Sequence, residues 1–567
     1  MKELLKGIRP IHIGLLAIWI YAFISAILRP LLNDNMVFFA WAQQVYDSPL
    51  SGMDAIESVW EIKGLLSRII YYQLYWLTQF LSSTLYPNGQ YIYQAFGYVE
   101  ISLLIVLSLY LLPNRYLSLK EKICSFFIIS AAFFLSTPMA ALQPEQWGIC
   151  LLLVSTALLL RDNVYCSIVG GALLGLTLFV KTPFLLLSGS VFFAYMLIKQ
   201  IDFVSTIRAI WIYALSALIS IVIILGLLYM FYPVEIQDIK DASHYQSTLF
   251  SYHSIIPIIR DLGHSMVNMW QIPVYLPILI IGALSSAIYL SSQSLAKIVT
   301  LLLVWLFPYL YVVASNCYFQ YHFVTFFFPA FIAIYLIKDE LKQSDERKVI
   351  LVGFTTLLLG VLFSFKPCYF IIRLTGEYFF VLPYLLICMG LNNAWKQKAL
   401  LVSVAFSIFI FVSWNSLISH MHREEVAQIN ECIKINANNN HYQNQVIEDN
   451  DSILTLDAGV SHLWIANASY LRHFYPLPLQ RTSDSSDFIL SETYIHTKER
   501  VLKYSGNVIF VDTAWFFGNS KQIEVREFID ANYSIVDSIV DITNSGYSIY
   551  AKHPTEMSSI YIYKRKE

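Results

Sequence analysis

Charged residues are scarce in this chain. They make up 13% of its 567 residues, whereas 57% of the residues are hydrophobic. Soluble domains contain about 25% charged residues, so this composition excludes an ordinary soluble protein and indicates a membrane protein. The formal net charge of −2 provides no attraction to phosphate backbones, and we therefore expect a lipid bilayer and no nucleic acid among the partners.

Several familiar motifs are also missing. The seven cysteines include no C-x-x-C pair, which argues against a zinc knuckle and against a disulfide framework. Neither G-x-x-x-x-G-K-[ST] nor a convincing G-x-G-x-x-G is present, so no nucleotide-binding loop is predicted. No internal repeat is visible, and this argues against a transporter built from inverted repeats.

Long apolar runs dominate the first three quarters of the chain and predict a mainly α-helical, polytopic transmembrane bundle over residues 1–415. We predict roughly thirteen spans, at about 11–29, 91–112, 123–137, 147–160, 164–180, 183–198, 209–231, 272–291, 298–314, 323–337, 349–365, 379–391 and 399–415.

Basic residues fall in alternate connections between these runs. The connections predicted to be cytoplasmic contain Arg115, Lys120, Lys122, Arg161, Lys199, Arg208, Lys297, Lys338, Lys342, Arg347, Lys348, Lys396 and Lys398. This positive-inside pattern predicts a multi-pass protein of the cytoplasmic (inner) membrane with a cytoplasmic N-terminus and an uncleaved first helix. An odd number of spans then puts residues 416–567 outside the cytoplasm.

The predicted outer side holds two large loops and a polar tail. The loop at about 30–90 includes an amphipathic stretch, residues 65–74, that suits the membrane surface, and the second loop covers about 232–271. In the tail, strands are predicted at 452–456, 507–511 and 559–563, and helices at 424–435 and 522–531. We therefore predict that residues 416–567 form a small α/β extracytoplasmic domain.

The triplet Asn33-Asp34-Asn35 lies just past the first predicted span. A carboxylate at the mouth of a span can act as a general base on an acceptor hydroxyl, or can organise a metal or phosphate site. Asp34 equally suits the N-cap of a following helix, and the sequence leaves both roles open.

Five further ionisable side chains lie in predicted outer connections. Glu61 and Lys63 precede the amphipathic stretch, where they could order a phosphate or form a solvated pair. Glu145 lies in a very short loop, where a carboxylate is costly unless it is used or paired. Lys181 at a span edge suits either a site or simple snorkelling, and His322 after Tyr321 suits either a ligand contact or an interface position.

The tail contains an unusual segment of aromatic, proline and arginine residues, 470–481, which includes Arg472. Aromatic faces with arginine forks suit sugars and phosphates, but the same composition suits a loop that docks the tail on the helices. The histidines of the 232–271 loop lack metal-ligand spacing, so a divalent metal is only weakly indicated there.

Together these residues resemble the GT-C superfamily of integral membrane glycosyltransferases, and in particular the protein O-mannosyltransferase and lipid A aminoarabinose transferase types. Four pieces carry the resemblance along the chain: Asp34 after the first span, the stretch 61–66, the segment Gln143-Pro144-Glu145-Gln146-Trp147, and Tyr318-Phe319-Gln320-Tyr321-His322. Two departures are that Ile62 separates Glu61 from Lys63 and that Gly64 stands where this family has proline.

The resemblance implies a GT-C-like fold and a donor made of a sugar on a polyprenyl phosphate. It implies transfer, with inversion, of a hexose or pentose to a glycan, lipid or protein acceptor at the outer leaflet. By the same analogy Asp34 is the catalytic base, assisted by Glu61 and Glu145, and Lys63 holds the donor phosphate with Lys181 or Arg373. Tyr321, His322 and Arg472 would then contact substrate. The triplet around Asp34 differs from the usual acidic pair, which leaves a divalent metal open.

Two other functions fit a polytopic membrane protein. A lipid-linked-glycan transporter or flippase predicts repeats and mid-membrane charges, whereas the ionisable residues here cluster at the outer ends of spans. A polysaccharide polymerase predicts a large arginine-rich outer loop, and residues 232–271 contain only Arg260 and Lys240 as cations of that kind.

Overall fold

The computed structural model describes most of the chain between residues 64 and 336 and several segments of the tail. The described ranges are 64–81, 90–134, 142–233, 293–314, 320–336, 452–456, 472–474, 492–512, 523–540 and 559–566, with single positions within 16–46, 236–240, 282–289 and at 490. The chain divides into two compact units. One contains Met1–Ala26, Tyr98–Val222 and Tyr252–Leu417, and the other contains Ile27–Gly97, Ile223–Ser251 and Ile418–Glu567.

Helices account for nearly all of the described residues before 337. They are α1 (Leu65–Leu81), α2 (Gln90–Leu111), α3 (Leu119–Phe134), α4 (Pro144–Leu159), α5 (Val164–Val180), α6 (Leu187–Lys199), α7 (Phe203–Phe231), α8 (Leu295–Ala314) and α9 (Phe327–Leu336). Two 3₁₀ helices, Thr182–Leu186 and Gln320–Phe326, lead into α6 and α9.

Four of these segments are long and apolar enough to cross a membrane: Tyr91–Leu111, Thr182–Lys199, Phe203–Phe231 and Leu295–Val312. The predicted spans at 91–112, 183–198, 209–231 and 298–314 coincide with them, and those at 147–160 and 164–180 coincide with the shorter apolar helices α4 and α5. The predicted spans at 349–365, 379–391 and 399–415 lie outside the described residues, so the total of thirteen remains a prediction.

The helix α7 shows why the protein is an integral membrane protein. Its 29 residues would reach roughly 44 Å, longer than the hydrocarbon core of a bilayer. One stripe along it exposes Val204, Ile207, Trp211, Leu215, Leu218 and Val222. Soluble proteins rarely expose so long an apolar stripe, whereas lipid tails cover it at no cost.

The other face of α7 packs closely against α5. A Cβ atom added to Gly171 would lie 2.1 Å from the carbonyl oxygen of Tyr213, and one added to Gly175 would lie 2.6 Å from that of Ala217. Two glycines four residues apart on one helix therefore permit the backbone contact that replaces the hydrophobic effect between helices in lipid. Ser155 of α4 reinforces this corner by donating to the carbonyl of Gly170 at 2.7 Å.

The helix α8 contains a proline, and its neighbour α6 compensates for it. Pro308 has no N–H to donate to the carbonyl of Val304 one turn earlier. The buried hydroxyl of Ser190 in α6 donates to that same carbonyl at 2.8 Å. In a membrane a freed carbonyl needs such a partner, so the pair joins α6 to α8.

The amphipathic stretch predicted at 65–74 forms the first part of α1. Its buried face contains Arg68, Tyr71 and Tyr75, and Tyr71 stacks on Phe38 with ring centroids 4.5 Å apart. The membrane-surface location predicted for this stretch remains a prediction.

The described residues of the tail form a five-stranded sheet. Its strands are β1 (Ser452–Leu456), β2 (Arg472–Phe474), β3 (Val508–Asp512), β4 (Tyr533–Val540) and β5 (Ser559–Arg565), in the order β2-β1-β3-β5-β4. β1 pairs in parallel with β2 and β3, and β5 pairs antiparallel with β3 and β4. Two helices, α10 (Glu492–Leu502) and α11 (Ile523–Asn532), contribute Tyr494, Val501, Val525 and Ile529 to the buried cluster of the sheet.

The strands at 452–456, 507–511 and 559–563 and the helix at 522–531 are present where the sequence predicts them. β2, β4 and α10 were not predicted. The helix predicted at 424–435 lies outside the described residues, and the location of the tail relative to the membrane remains a prediction.

Candidate functional site

Four buried polar side chains meet at one end of the helices. Glu145, Lys181, Tyr311 and His322 come from four different elements and are at most 7% exposed. The Nζ atom of Lys181 lies 2.7 Å from Oε1 of Glu145 and 2.8 Å from Nε2 of His322. The hydroxyl of Tyr311 donates to the same Oε1 atom at 2.9 Å. We call these four residues the buried cluster.

The start of α4 positions Glu145. Pro144 occupies the first turn, where its missing N–H has no helical partner to lose, and Glu145 follows it. A carboxylate in the first turn is also favoured by the positive end of the helix dipole. Gln146 anchors this turn, because its Oε1 accepts from the Leu142 N–H at 3.2 Å and its Nε2 donates to the Phe133 carbonyl at 3.3 Å.

Leu142, just before this turn, has a φ of 52°, in the left-handed region. A leucine rarely adopts this conformation, and its side chain is 1% exposed, so the surrounding packing holds it there. Backbone strain therefore lies three residues from Glu145.

The break between α5 and the 3₁₀ helix Thr182–Leu186 positions Lys181. Lys181 is the C-cap of α5 and has extended backbone geometry, with φ −162° and ψ 129°. Pro183 lies in the first turn of the 3₁₀ helix, and the N–H of Phe184 donates to the Lys181 carbonyl at 2.9 Å. The lysine consequently leaves the helix axis and reaches Glu145 at the start of the antiparallel neighbour α4.

Tyr311 and His322 come from α8 and from the 3₁₀ helix that follows it. Their rings meet edge to face with centroids 6.0 Å apart, and Phe184 packs on Tyr311 at 4.9 Å. Phe184 itself fits over Gly148 of α4, where an added Cβ would lie 2.2 Å from the ring. The aromatic packing therefore fixes the direction of the Tyr311 hydroxyl.

The hydrogen bonds define the charges in the buried cluster. A lysine ammonium has only donors, so Nε2 of His322 accepts from Lys181 and the imidazole is neutral. Glu145 and Lys181 then carry one charge of each sign, so these four described side chains together have no net charge. An ion pair of this kind contributes little to stability once desolvation is counted, but losing one partner leaves a buried charge.

A second charged cluster lies at the opposite ends of α4 and α5. Arg115 and Lys199 both donate to the carboxylate of Asp162, in the connection between the two helices. Burial opposes ionisation of Asp162, but the hydrogen bonds and charges of Lys199 and Arg115 outweigh it and hold its pKa below the usual value. Three connections that the sequence predicts to share one side of the membrane therefore meet in the structure.

The structure brings together Glu145, Lys181 and His322, which the sequence singled out separately. Tyr311 was missed, because it lies inside an apolar span and 38 tyrosines occur in the chain. Tyr321 lies in the 3₁₀ helix Gln320–Phe326, and Arg472 is the first residue of β2. Asp34, Glu61, Lys63 and Arg373 lie outside the described residues, and their assigned roles remain predictions.

In the described part of the chain, no group of three His, Cys, Asp or Glu side chains lies close enough together to bind a divalent metal. In the buried cluster, the Lys181 ammonium already lies between the Glu145 carboxylate and the His322 imidazole. A second cation at that position would be repelled.

Comparisons with known proteins give structural likeness at low identity. No protein-family model matches the chain, and no curated protein matches it. The crystal structure of ArnT from Cupriavidus metallidurans in the apo state is similar, with a TM-score of 0.47 and 11% identity over 98% of this chain and 97% of that chain. The crystal structure of ArnT from the same organism bound to undecaprenyl phosphate is similar with a TM-score of 0.46 and 10% identity, covering 97% of each chain.

Proposed function

We propose that this protein is a membrane glycosyltransferase that moves a sugar from a polyprenyl-phosphate donor to a glycan, lipid or protein acceptor on the outer face of the membrane. The buried cluster carries the proposal. Ionisable groups that are buried inside a membrane protein are costly, and they persist mainly where a polar substrate or a proton is handled. The order of the GT-C-like sequence pieces, from Asp34 to His322, supports the same function.

The reaction needs few protein groups. The oxygen of an acceptor hydroxyl attacks the anomeric carbon of the donor sugar, and a new glycosidic bond forms. The bond between that carbon and the phosphate oxygen breaks, its electron pair stays on the phosphate, and the acceptor proton passes to Asp34. A base near the attacking hydroxyl and cations near the departing phosphate lower the barrier to this step. Inversion at the anomeric carbon follows from a single displacement.

The geometry bears on which cations serve the phosphate. The charge of Lys181 is already matched by Glu145 at 2.7 Å. A departing phosphate dianion would therefore gain less from Lys181, because the carboxylate of Glu145 offsets its charge. Lys63 and Arg373 are the other candidates that the sequence offers, and we place the main phosphate contacts on them.

Release of free polyprenyl phosphate tests the proposal whichever sugar the donor carries. The purified full chain in proteoliposomes is supplied with lipid extract from its own cells, and lipids are followed by mass spectrometry. We expect polyprenyl-phosphate-linked sugar to be consumed and free polyprenyl phosphate to appear. Glu527→Gln, at an exposed position of α11, is a matched carboxylate control and should keep the wild-type rate.

Two outcomes would overturn the proposal. Movement of an intact lipid-linked glycan across the bilayer, with no bond broken, would indicate a transporter or flippase. Growth of a glycan by whole lipid-linked repeat units would indicate a polysaccharide polymerase.

A further inference from the structure

The two oxygens of the Glu145 carboxylate have different surroundings. Oε1 accepts from Lys181 at 2.7 Å and from Tyr311 at 2.9 Å. Oε2 is buried and has no hydrogen-bond partner among the residues that the structure describes. The Glu145 side chain is 0% exposed, so bulk water does not serve this oxygen.

A buried carboxylate oxygen that accepts no hydrogen bond is rare inside a protein. Buried polar atoms are almost always satisfied, and a carboxylate oxygen without a donor is among the costliest exceptions. Glu145 cannot relieve the cost by turning, because Lys181 and Tyr311 hold Oε1 from two directions. The arrangement fits a site that is completed by a donor group of a bound molecule.

The charge of the buried cluster limits which hydrogen-bond donor of a ligand can bind Oε2 of Glu145. A carboxylate oxygen only accepts hydrogen bonds, so a phosphate or a carboxylate of a ligand would be repelled. An ammonium group would leave the cluster with an unmatched positive charge in a buried place, since Lys181 already balances Glu145. A neutral hydroxyl satisfies Oε2 and leaves the cluster without net charge.

We infer that the buried cluster is the subsite for the transferred sugar and that Oε2 of Glu145 accepts a hydrogen bond from one of its hydroxyls. The inference rests on the proposed function and assigns a different role to Lys181 from the phosphate contact that the sequence predicts. Lys181 and Tyr311 are positioning residues, which hold Glu145 so that Oε2 stays available. The lipid phosphate is held by other cations.

Binding of paired lipid probes to the full chain in nanodiscs tests this assignment. The probes are undecaprenyl phosphate alone and undecaprenyl phosphate carrying glucose, mannose, arabinose or glucosamine, each titrated by native mass spectrometry. For the wild type we expect at least one sugar with neutral hydroxyls to tighten binding relative to the bare lipid phosphate. Glu145→Gln should remove roughly ten- to a hundred-fold of that gain, because a hydrogen bond to a charged acceptor is lost. Affinity for the bare lipid phosphate should change less than about two-fold.

A second variant distinguishes a loss of sugar binding from a loss of folding. Glu145→Gln removes the carboxylate that lies 2.7 Å from the buried Lys181 ammonium, whereas the double variant Glu145→Gln/Lys181→Gln removes both charges together. It should fold and show the same selective loss for the sugar-bearing probe. Tyr311→Phe keeps the carboxylate but frees its rotation, so we expect a smaller loss with the same preference among sugars.

Three results would contradict the assignment. An equal loss of affinity for the bare and the sugar-bearing lipid in the double variant would place the phosphate, not the sugar, at Glu145. A glucosamine-bearing lipid that binds the wild type more tightly than the glucose-bearing one would show that an ammonium fits better. Unchanged affinities in every variant would leave Glu145 with a structural role. By contrast, a wild type that binds none of these lipids and releases no polyprenyl phosphate would overturn the proposed function itself.

Discussion

At the scale of single residues, the buried cluster depends on small neighbours as much as on its ionisable groups. Glycine at position 148 leaves room for Phe184, and Phe184 in turn supports the ring of Tyr311. Glu145 and Lys181 are individually visible in the sequence, because charges in short connections between apolar runs attract attention. The sequence does not identify Tyr311 and Gly148 as parts of the site, because an aromatic residue or a glycine inside a membrane span is common. Only packing shows that they serve the carboxylate.

Gly148→Ala tests this support directly. The added Cβ would approach the Phe184 ring to between 2.2 and 2.7 Å, so the ring must move. Overpacking of this kind costs about 1–3 kcal/mol, and we expect a lower melting temperature together with slower release of polyprenyl phosphate.

Gly226→Ala is the matched control, because no atom of the described residues lies within 4 Å of a Cβ added there. It should be neutral or slightly stabilising, as alanine suits a helix better than glycine. Equal melting temperatures for the two alanine variants would show that Phe184 yields without cost.

At the scale of elements, helix existence follows from hydropathy, but helix contacts do not. The apolar runs predict α2, α4, α5, α7 and α8 to within a few residues. The pairing of Ser190 with the carbonyl freed by Pro308 could not be predicted, because the two residues are 118 positions apart and belong to different helices. In the tail, the short strand β2 was missed because its three residues lie in a segment whose composition indicates a loop.

A double-mutant cycle tests the contact between α6 and α8. Ser190→Ala leaves the buried Val304 carbonyl without the 2.8 Å hydrogen bond, and we expect a loss of about 1–3 kcal/mol in unfolding free energy. In a Pro308→Ala background the backbone N–H is restored, so the same serine change should cost less.

Thermal denaturation in detergent measures all four forms. Ser188→Ala is the control, because the hydroxyl of Ser188 bonds to the Leu185 carbonyl in its own segment at 2.6 Å. Additive costs of Ser190→Ala and Pro308→Ala would mean that the serine does not act through the Val304 carbonyl.

The Asp162 cluster makes a prediction about acid stability. Its folded-state pKa lies below the unfolded value, so its contribution is fully present above the unfolded pKa, near pH 4, and is lost as pH falls through the folded pKa. Asp162→Asn should lower the melting temperature at neutral pH and flatten its decline below about pH 4.

Because the Asp162 side chain is 40% exposed, we expect a modest effect. Glu499→Gln removes an exposed partner of Lys503 in α10 and should leave the acid profile unchanged. Parallel acid profiles for wild type and Asp162→Asn would show that the cluster does not stabilise the fold.

At the scale of the whole molecule, the sequence predicts an odd number of spans and therefore opposite sides for the two termini. The structure gathers Arg115, Asp162 and Lys199 at one end of the helices and the buried cluster at the other. Which end faces the cytoplasm is a prediction from the positive-inside pattern. Hydropathy determines where helices lie along the chain, whereas sidedness depends on every span between the termini.

Reporter fusions test the orientation. A phosphatase that is active only outside the cytoplasm should be active when fused after Glu567 and inactive when fused after Asn114, in the first predicted inner connection. A fluorescent protein that matures only in the cytoplasm should give the reverse. Activity of the phosphatase at Asn114 would put the buried cluster on the cytoplasmic side and exclude transfer at the outer leaflet.

The most direct test of the account is the rate at which the purified chain converts a polyprenyl-phosphate-linked sugar to free polyprenyl phosphate, compared between the wild type and Asp34→Asn. The change keeps size and hydrogen bonding but removes the base that accepts the acceptor's proton. We predict correct insertion, an unchanged melting temperature and a rate lower by about a hundred-fold or more. A variant that releases polyprenyl phosphate at close to the wild-type rate would contradict the account, because Asp34 would then only cap a helix.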